Sequence, residues 1–333
     1  MTAIALLCGA AFAYPVTVTD DAGCTVTITE EPKSIVSLTP AVTEILFAVG
    51  VGDRVIGDTT YCNYPEAAKN ITKIGSFTDI SVEKIVTLKP DIIFANPTNR
   101  KDAVERLKSL GYNVAVIEPS STESIYNAIE IVGKLTGAEK NASDVISKMK
   151  KETIEITEKL KNSASSPKVM HAMSENPYYV SGSNTFQDEL IKLAGGTNAF
   201  ADVSGWGVVT LEKIITANPD IILVDSGANM GVSGDNTLQK SFYNNIRLAS
   251  VSAVKNKKVY VMDADIFDRG GPRVTQALKS LSEMIHPELF SVSPTSGTTE
   301  KPTADKPSQT QSPMPVIGIL IGVCSAAVIL RRK

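Results

Sequence analysis

The chain has 333 residues, enough at roughly 150 residues per domain for about two domains with cores of their own, which excludes a disulfide-stapled miniprotein. Its 33 basic and 36 acidic residues leave a net charge of −3 with no basic cluster, so the electrostatic footprint of a nucleic-acid binder is missing. Only two histidines occur, His171 and His286, far apart and outside any metal-ligand spacing pattern, which argues against a His-rich zinc or copper centre.

Residues 1–13 are mostly apolar and end in the small-residue pattern Ala11-Phe12-Ala13, so they read as a signal-peptide-like leader, although no basic residue opens them. Export is the implied fate. In the body, strands are expected at 34–38, 54–57, 114–118, 168–173 and 258–262, with amphipathic helices at 43–49, 103–110, 185–194 and 274–285. A longer helical stretch intervenes. Residues 124–135 form one helix, and from Ala142 the apolar positions Val145, Ile146, Met149, Ile156 and Leu160 keep one face for about five turns.

Residues 81–95 (SVEKIVTLKPDIIFA) and 210–224 (TLEKIITANPDIILV) align at a constant offset, so the body is one unit used twice. In each copy a short helix carries Glu-Lys-Ile, Pro90 or Pro219 stops it, and Asp-Ile-Ile opens a buried strand. The expected fold class is therefore α/β, with two Rossmann-like lobes of mostly parallel sheet joined by one long backbone helix. The boundaries are 14–121 for the first lobe, 122–163 for the interlobe helical segment and 164–290 for the second lobe. Residues 291–315 are rich in Ser, Thr and Pro and read as a stalk; residues 316–333 are an apolar run closed by Arg331, Arg332 and Lys333, read as a membrane anchor.

Outside the leader and the anchor only Cys24 and Cys62 remain, and in an oxidising compartment they form either a disulfide or two free thiols. Asn70 and Asn141 head Asn-x-Ser/Thr sequons, the acceptor pattern for N-glycosylation. Catalysis is not expected, because Ser181-Gly182-Ser183 lacks a nucleophile elbow and no histidine is placed to serve it.

The run SIVSLTPAVTEILFAVGVGDRVIGDTTYCNYPEAAKNITKIGSF, the repeated EKI…PDII, the linker helix, YVSGSNTFQDELIKLAGGTNAFAD and DIFDRGGPR resemble the helical-backbone (cluster III) substrate-binding proteins of ABC importers. The resemblance covers about residues 32–290. Within that class GDTTYCNYP followed by GSF looks like the vitamin B12-binding branch, the other branches taking ferric siderophores and haem. The resemblance implies a receptor on the extracytoplasmic face that needs no cofactor, delivers a corrinoid or ferric chelate to a permease dimer with its cytoplasmic ATPase, and binds no nucleic acid.

Residue by residue, the family pattern makes Trp206 and Phe77 the two sides of a sandwich around a flat ligand. Each precedes a glutamate, Glu212 and Glu83, by the same spacing, and these two acids would dock on permease arginines. Tyr61 is a further expected contact, and Tyr64 is either a contact or a turn residue ahead of Pro65. Asn96 stands where the corrinoid pattern places a tryptophan, in the 96–100 loop that, with the 225–229 loop, would meet a ligand between the lobes. Arg269 would hold an anionic ligand, as siderophore binders use arginine, or form structural ion pairs.

Overall fold

In the computed structural model, residues 14–76, 78–226 and 235–290 are described. The leader, the stalk, the anchor and Phe77 therefore lie outside the described residues, as does most of the 225–229 loop. Among the described residues no helix is long and apolar enough to cross a membrane.

The chain begins with a hairpin, β1 (Val16–Thr19) against β2 (Thr25–Ile28), turned at Gly23, whose φ of 76° suits a residue without a Cβ. The first lobe follows as β3 (Ile35–Ser37), α1 (Pro40–Ala48), β4 (Val55–Gly57), α2 (Val82–Leu88), β5 (Ile92–Ala95), α3 (Lys101–Ser109) and β6 (Val114–Val116). Its four strands lie in the order β4-β3-β5-β6 and all run parallel. Both faces of the sheet are covered, which is why β5 reads as an unbroken apolar run. Asp20 ties the hairpin to this lobe by accepting from the Val116 amide at 3.0 Å.

Helix α4 (Thr122–Thr136) starts at a Ser121 capping box and stops at Gly137, in the left-handed region at φ 70°. Helix α5 (Glu139–Leu160) has 22 residues and so runs roughly 33 Å at about 1.5 Å per residue. The second lobe contains β7 (Lys168–Glu175), β8 (Tyr178–Ser181), α6 (Phe186–Leu193), β9 (Thr197–Asn198), β10 (Trp206–Val209), α7 (Leu211–Ala217) and β11 (Ile221–Asp225). It closes with α8 (Thr237–Asn244), α9 (Ser252–Lys255), β12 (Val259–Met262), α10 (Ala264–Phe267), α11 (Val274–Ile285) and α12 (Pro287–Phe290). Strand order is β10-β8-β7-β11-β12, with β9 beside β7. The parallel strands β7, β11 and β12 were legible from sequence, whereas the short parallel β9 and the antiparallel edge of β8 and β10 were not.

The internal repeat is exact in structure at its ends. Helices α2 and α7 begin at Ser81 and Thr210, whose hydroxyls accept from the Lys84 and Lys213 amides, and both end in left-handed residues, Lys89 and Asn218, ahead of the two prolines. The hydrophobic core is less divided than two lobes suggest. One continuous cluster takes Ile35, Ile45 and Phe94 of the first lobe, Ile129 and Met149 of α4 and α5, and Leu223, Phe267 and Leu281 of the second. Each sheet's remaining face has a core of its own, around Ile85 and Ile93 in one lobe and Ile222 and Phe242 in the other.

The Cys24–Cys62 pairing does not form. Cys24 is an exposed free thiol at the hairpin turn, with its Sγ 4.0 Å from Lys108 Nζ, while Cys62 is buried with its Sγ 3.2 Å from both Thr43 and Thr59 hydroxyls. Burial, with the nearby Asp58 charge, pushes the Cys62 thiol above its ordinary pKa, which leaves it a small buried hydrophobe.

Candidate functional site

In open α/β sheets ligands gather at the carboxyl ends of the strands, and here those ends from the two lobes face each other. In the first lobe β4 runs into the loop 58–75. Lys73 pins that loop from within by donating to Asp58 Oδ1 (2.7 Å), the Ala68 carbonyl (2.8 Å) and the Cys62 carbonyl (3.1 Å). Asp58 is wholly buried and its Oδ2 has no partner among the described residues; burial pushes its carboxyl up to about 6 despite Lys73. Tyr61, Asn63 and Tyr64 ride on this anchored loop.

In the second lobe β12 runs into α10 and the segment 268–273. Its arginines reach across. Arg269 Nη1 donates to Asn63 Oδ1 (2.7 Å) and Glu44 Oε1 (3.3 Å), and its Nη2 donates to Asp265 Oδ1 (2.6 Å) and the Tyr61 carbonyl (3.1 Å). Arg273 forks onto Glu44 through Nε (2.8 Å) and Nη2 (2.6 Å), and Asn63 Nδ2 donates to Asp265 Oδ2 at 2.6 Å. The arrangement corrects the ligand reading of Arg269. Only 5% exposed, its guanidinium is occupied by protein acceptors and joins lobe to lobe.

Trp206 stands half-buried at the start of β10, on the flank of the second sheet. One face stacks on Tyr179 at 5.6 Å between centroids and 13° between planes, and its neighbour at the edge is His171, at 5.6 Å and 69°. His171 also meets Phe267 edge-on at 5.0 Å, so an aromatic row leads from Trp206 towards the α10 segment. Beneath it His171 Nε2 lies 3.0 Å from Asp225 Oδ1, and Asp268 completes a group of three. Burial opposes charge on His171, but the charge and hydrogen bond of Asp225 outweigh it and raise the imidazole pKa. Burial, then the charge of Asp225, pushes Asp268 up to about 7.

The sequence profile of the periplasmic binding protein family matches residues 35–266. The chain belongs to that family. An uncharacterized ABC transporter substrate-binding lipoprotein of Bacillus subtilis (strain 168), YvrC, is 36% identical over 284 residues, 83% of this chain and 87% of that one. A vitamin B12-binding protein of Photorhabdus laumondii is 25% identical over 257 residues, 77% of this chain and 88% of the relative. Among solved structures, the apo periplasmic heme-binding protein RhuT of Roseiflexus sp. RS-1 superposes with a TM-score of 0.69 at 25% identity, over 77% of this chain and 99% of that one.

The cleft of this binding protein gathers some of the expected residues and not others. Arg269 meets Tyr61 at its main-chain carbonyl. Tyr64 is turned elsewhere: its ring lies 4.1 Å under the Arg273 guanidinium, and it lines a groove of about 1050 Å³ between α1, α5 and α11 that reaches neither Tyr61 nor Trp206. Asn96 is occupied by its own loop, donating to the Ile117 carbonyl (2.8 Å) and accepting from the Thr98 amide and hydroxyl. Glu83 and Glu212 are exposed on the first turns of the repeated helices, Glu212 already paired with Arg247. Asn70 is exposed at the end of a short 3-10 helix, whereas the amide nitrogen of Asn141, the atom a glycan would join, donates to the Val49 carbonyl at 2.9 Å. Sequence reasoning missed the interlobe lock and the His171 group, since Glu44 and Arg273 are separated by 229 positions and His171 and Asp225 by 54.

Proposed function

We propose that this binding protein captures a corrinoid between its lobes on the extracytoplasmic face and delivers it to the permease of an ABC importer. The observation that carries the reading is the meeting of the two carboxyl-end loop sets, where Arg269 of the second lobe donates to the Tyr61 carbonyl of the first. A flat, partly apolar ring system is recognised by aromatic faces, at roughly 0.5–1.5 kcal/mol per stacked pair beyond area burial. Both histidines are fully buried, so a haem in the cleft would need another ligand such as a tyrosine, whereas the cobalt of a corrinoid needs no protein ligand. The similarity to vitamin B12-binding proteins supports the same choice.

Phe77 is proposed as the second stacking face, and Glu83 with Glu212 as the permease contacts, their placement on equivalent helix turns supplying two matched acids. Titration of the protein with cyanocobalamin, cobinamide, haem and a ferric hydroxamate tests the reading, followed by the fluorescence of Trp206, the sole tryptophan, and by calorimetry. Tight binding of the corrinoids alone is expected. Binding of haem or the ferric hydroxamate with silence towards corrinoids keeps the receptor role and overturns the ligand.

A further inference from the structure

We propose that His171, Asp225 and Asp268 bind one divalent transition-metal ion within the second lobe, beneath Trp206. One ligand atom from each residue lies within 4.8 Å of the others, and His171 Nε2 and Asp225 Oδ1 are 3.0 Å apart. A tetrahedral ion with bonds of about 2.0–2.2 Å requires donor atoms about 3.3–3.5 Å apart, so side-chain shifts of about an ångström seat it. The imidazole is already oriented for ligation. Its Nδ1 is held by Ser181 Oγ at 3.2 Å, which leaves Nε2 facing the carboxylates, and Gln187 Nε2 supports Asp268 from outside by donating to Oδ1 at 2.7 Å.

Charge points the same way. Among the described residues neither Asp225 nor Asp268 is paired with a Lys or Arg, so two carboxylates share one imidazole in a place where His171 is 0% and Asp225 3% exposed. A divalent cation balances that pair with the imidazole neutral. One nitrogen and two oxygens suit zinc, cobalt or manganese, whereas calcium and magnesium prefer an all-oxygen shell and copper(I) prefers sulfur. Asp268 is only half-buried, which provides the way in, and three protein ligands leave a fourth position for water. The site does not depend on which molecule the cleft accepts.

The test is titration of the untagged full chain with Co²⁺ alone, reading ligand-field absorption in the visible and quenching of Trp206, whose ring centroid is 5.6 Å from that of His171. One equivalent should bind, and Zn²⁺ should bleach the colour and raise Tm. His171→Ala and Asp268→Asn should each weaken binding at least about 100-fold. Because His171 is a core residue, its variant is checked for folding by circular dichroism; should it fail, Asp268→Asn decides, being at a half-buried position where Gln187 can still bond to the amide. Absence of one-equivalent Co²⁺ binding in the wild type, or binding that survives in the folded variants, overturns the proposal.

Discussion

Glu44 on α1 and Arg273 beside α11 are joined across the two lobes by a forked ion pair, at 2.6 and 2.8 Å, with the Glu44 side chain 2% and the Arg273 side chain 11% exposed. Arg269 keeps Asp265 as its nearer carboxylate, so Glu44→Gln leaves the Arg273 guanidinium short of a counter-charge and weakens the longer contact to Arg269. Breaking a buried pair in this way costs about 3–5 kcal/mol. Urea unfolding should register that loss; a change below about 1 kcal/mol would mean that the lock is solvated and contributes little.

The same lock, added to the α5 rod, restricts closure. Solution scattering with and without a bound ligand should give radii of gyration equal to within about 1 Å, in contrast to hinge closure of separately mobile domains. A larger contraction on binding would refute this.

Trp206→Ala removes the aromatic platform on the second lobe while leaving Tyr179 on the neighbouring strand. Ligand affinity should fall by about 10- to 100-fold, a loss of roughly 1.4–2.8 kcal/mol, with thermal stability little changed because the indole is only half-buried. Calorimetry decides. Unchanged affinity would place the ligand away from β10.

Glu83→Ala combined with Glu212→Ala should abolish uptake in cells without altering ligand affinity, since both acids are exposed at helix first turns outside the interlobe junction. If affinity falls instead, the glutamates belong to the pocket. Arg247→Ala alone frees Glu212 and should leave uptake intact.

Asp58 gives stability a pH dependence of defined sign. Its folded-state pKa of about 6 lies above the ordinary 3.8, so the folded chain holds a proton that the unfolded chain has lost between those values. The contribution is complete below about pH 4 and is lost as pH rises through 6, with an amplitude of about 3 kcal/mol. Asp58→Asn should flatten that part of the curve when unfolding free energies are compared at pH 4.5, 6 and 7.5. A variant curve parallel to the wild type would show that Asp58 is already ionised at low pH.

What was legible in the sequence is what local chemistry fixes. Pro90 and Pro219 ending short helices before Asp-Ile-Ile placed α2, α7, β5 and β11, because a proline cannot continue a helix and a fully covered parallel strand must be apolar on both faces. The β8–β10 edge was not legible, since its two strands have four residues each and carry tyrosine and tryptophan on partly exposed faces, which gives no regular alternation to read. The site divides the same way. The aromatic and acid of each repeat could be matched by spacing, whereas the partners of Arg269 and of His171 come from strands and loops that only the tertiary fold brings together, and no local signal announces them.

The hydrophobic cluster running from Ile45 through Met149 to Leu281 means that the lobes, though each is one uninterrupted stretch of chain, are not separable pieces. Cut between residues 163 and 166, the first fragment would carry the greasy side of α5 into water and the second that of α11, each a strip that the other now covers. The protein should accordingly melt as one body, and an insertion or fusion would be tolerated at the exposed turns of its outer helices far better than at the single crossing from one half to the other.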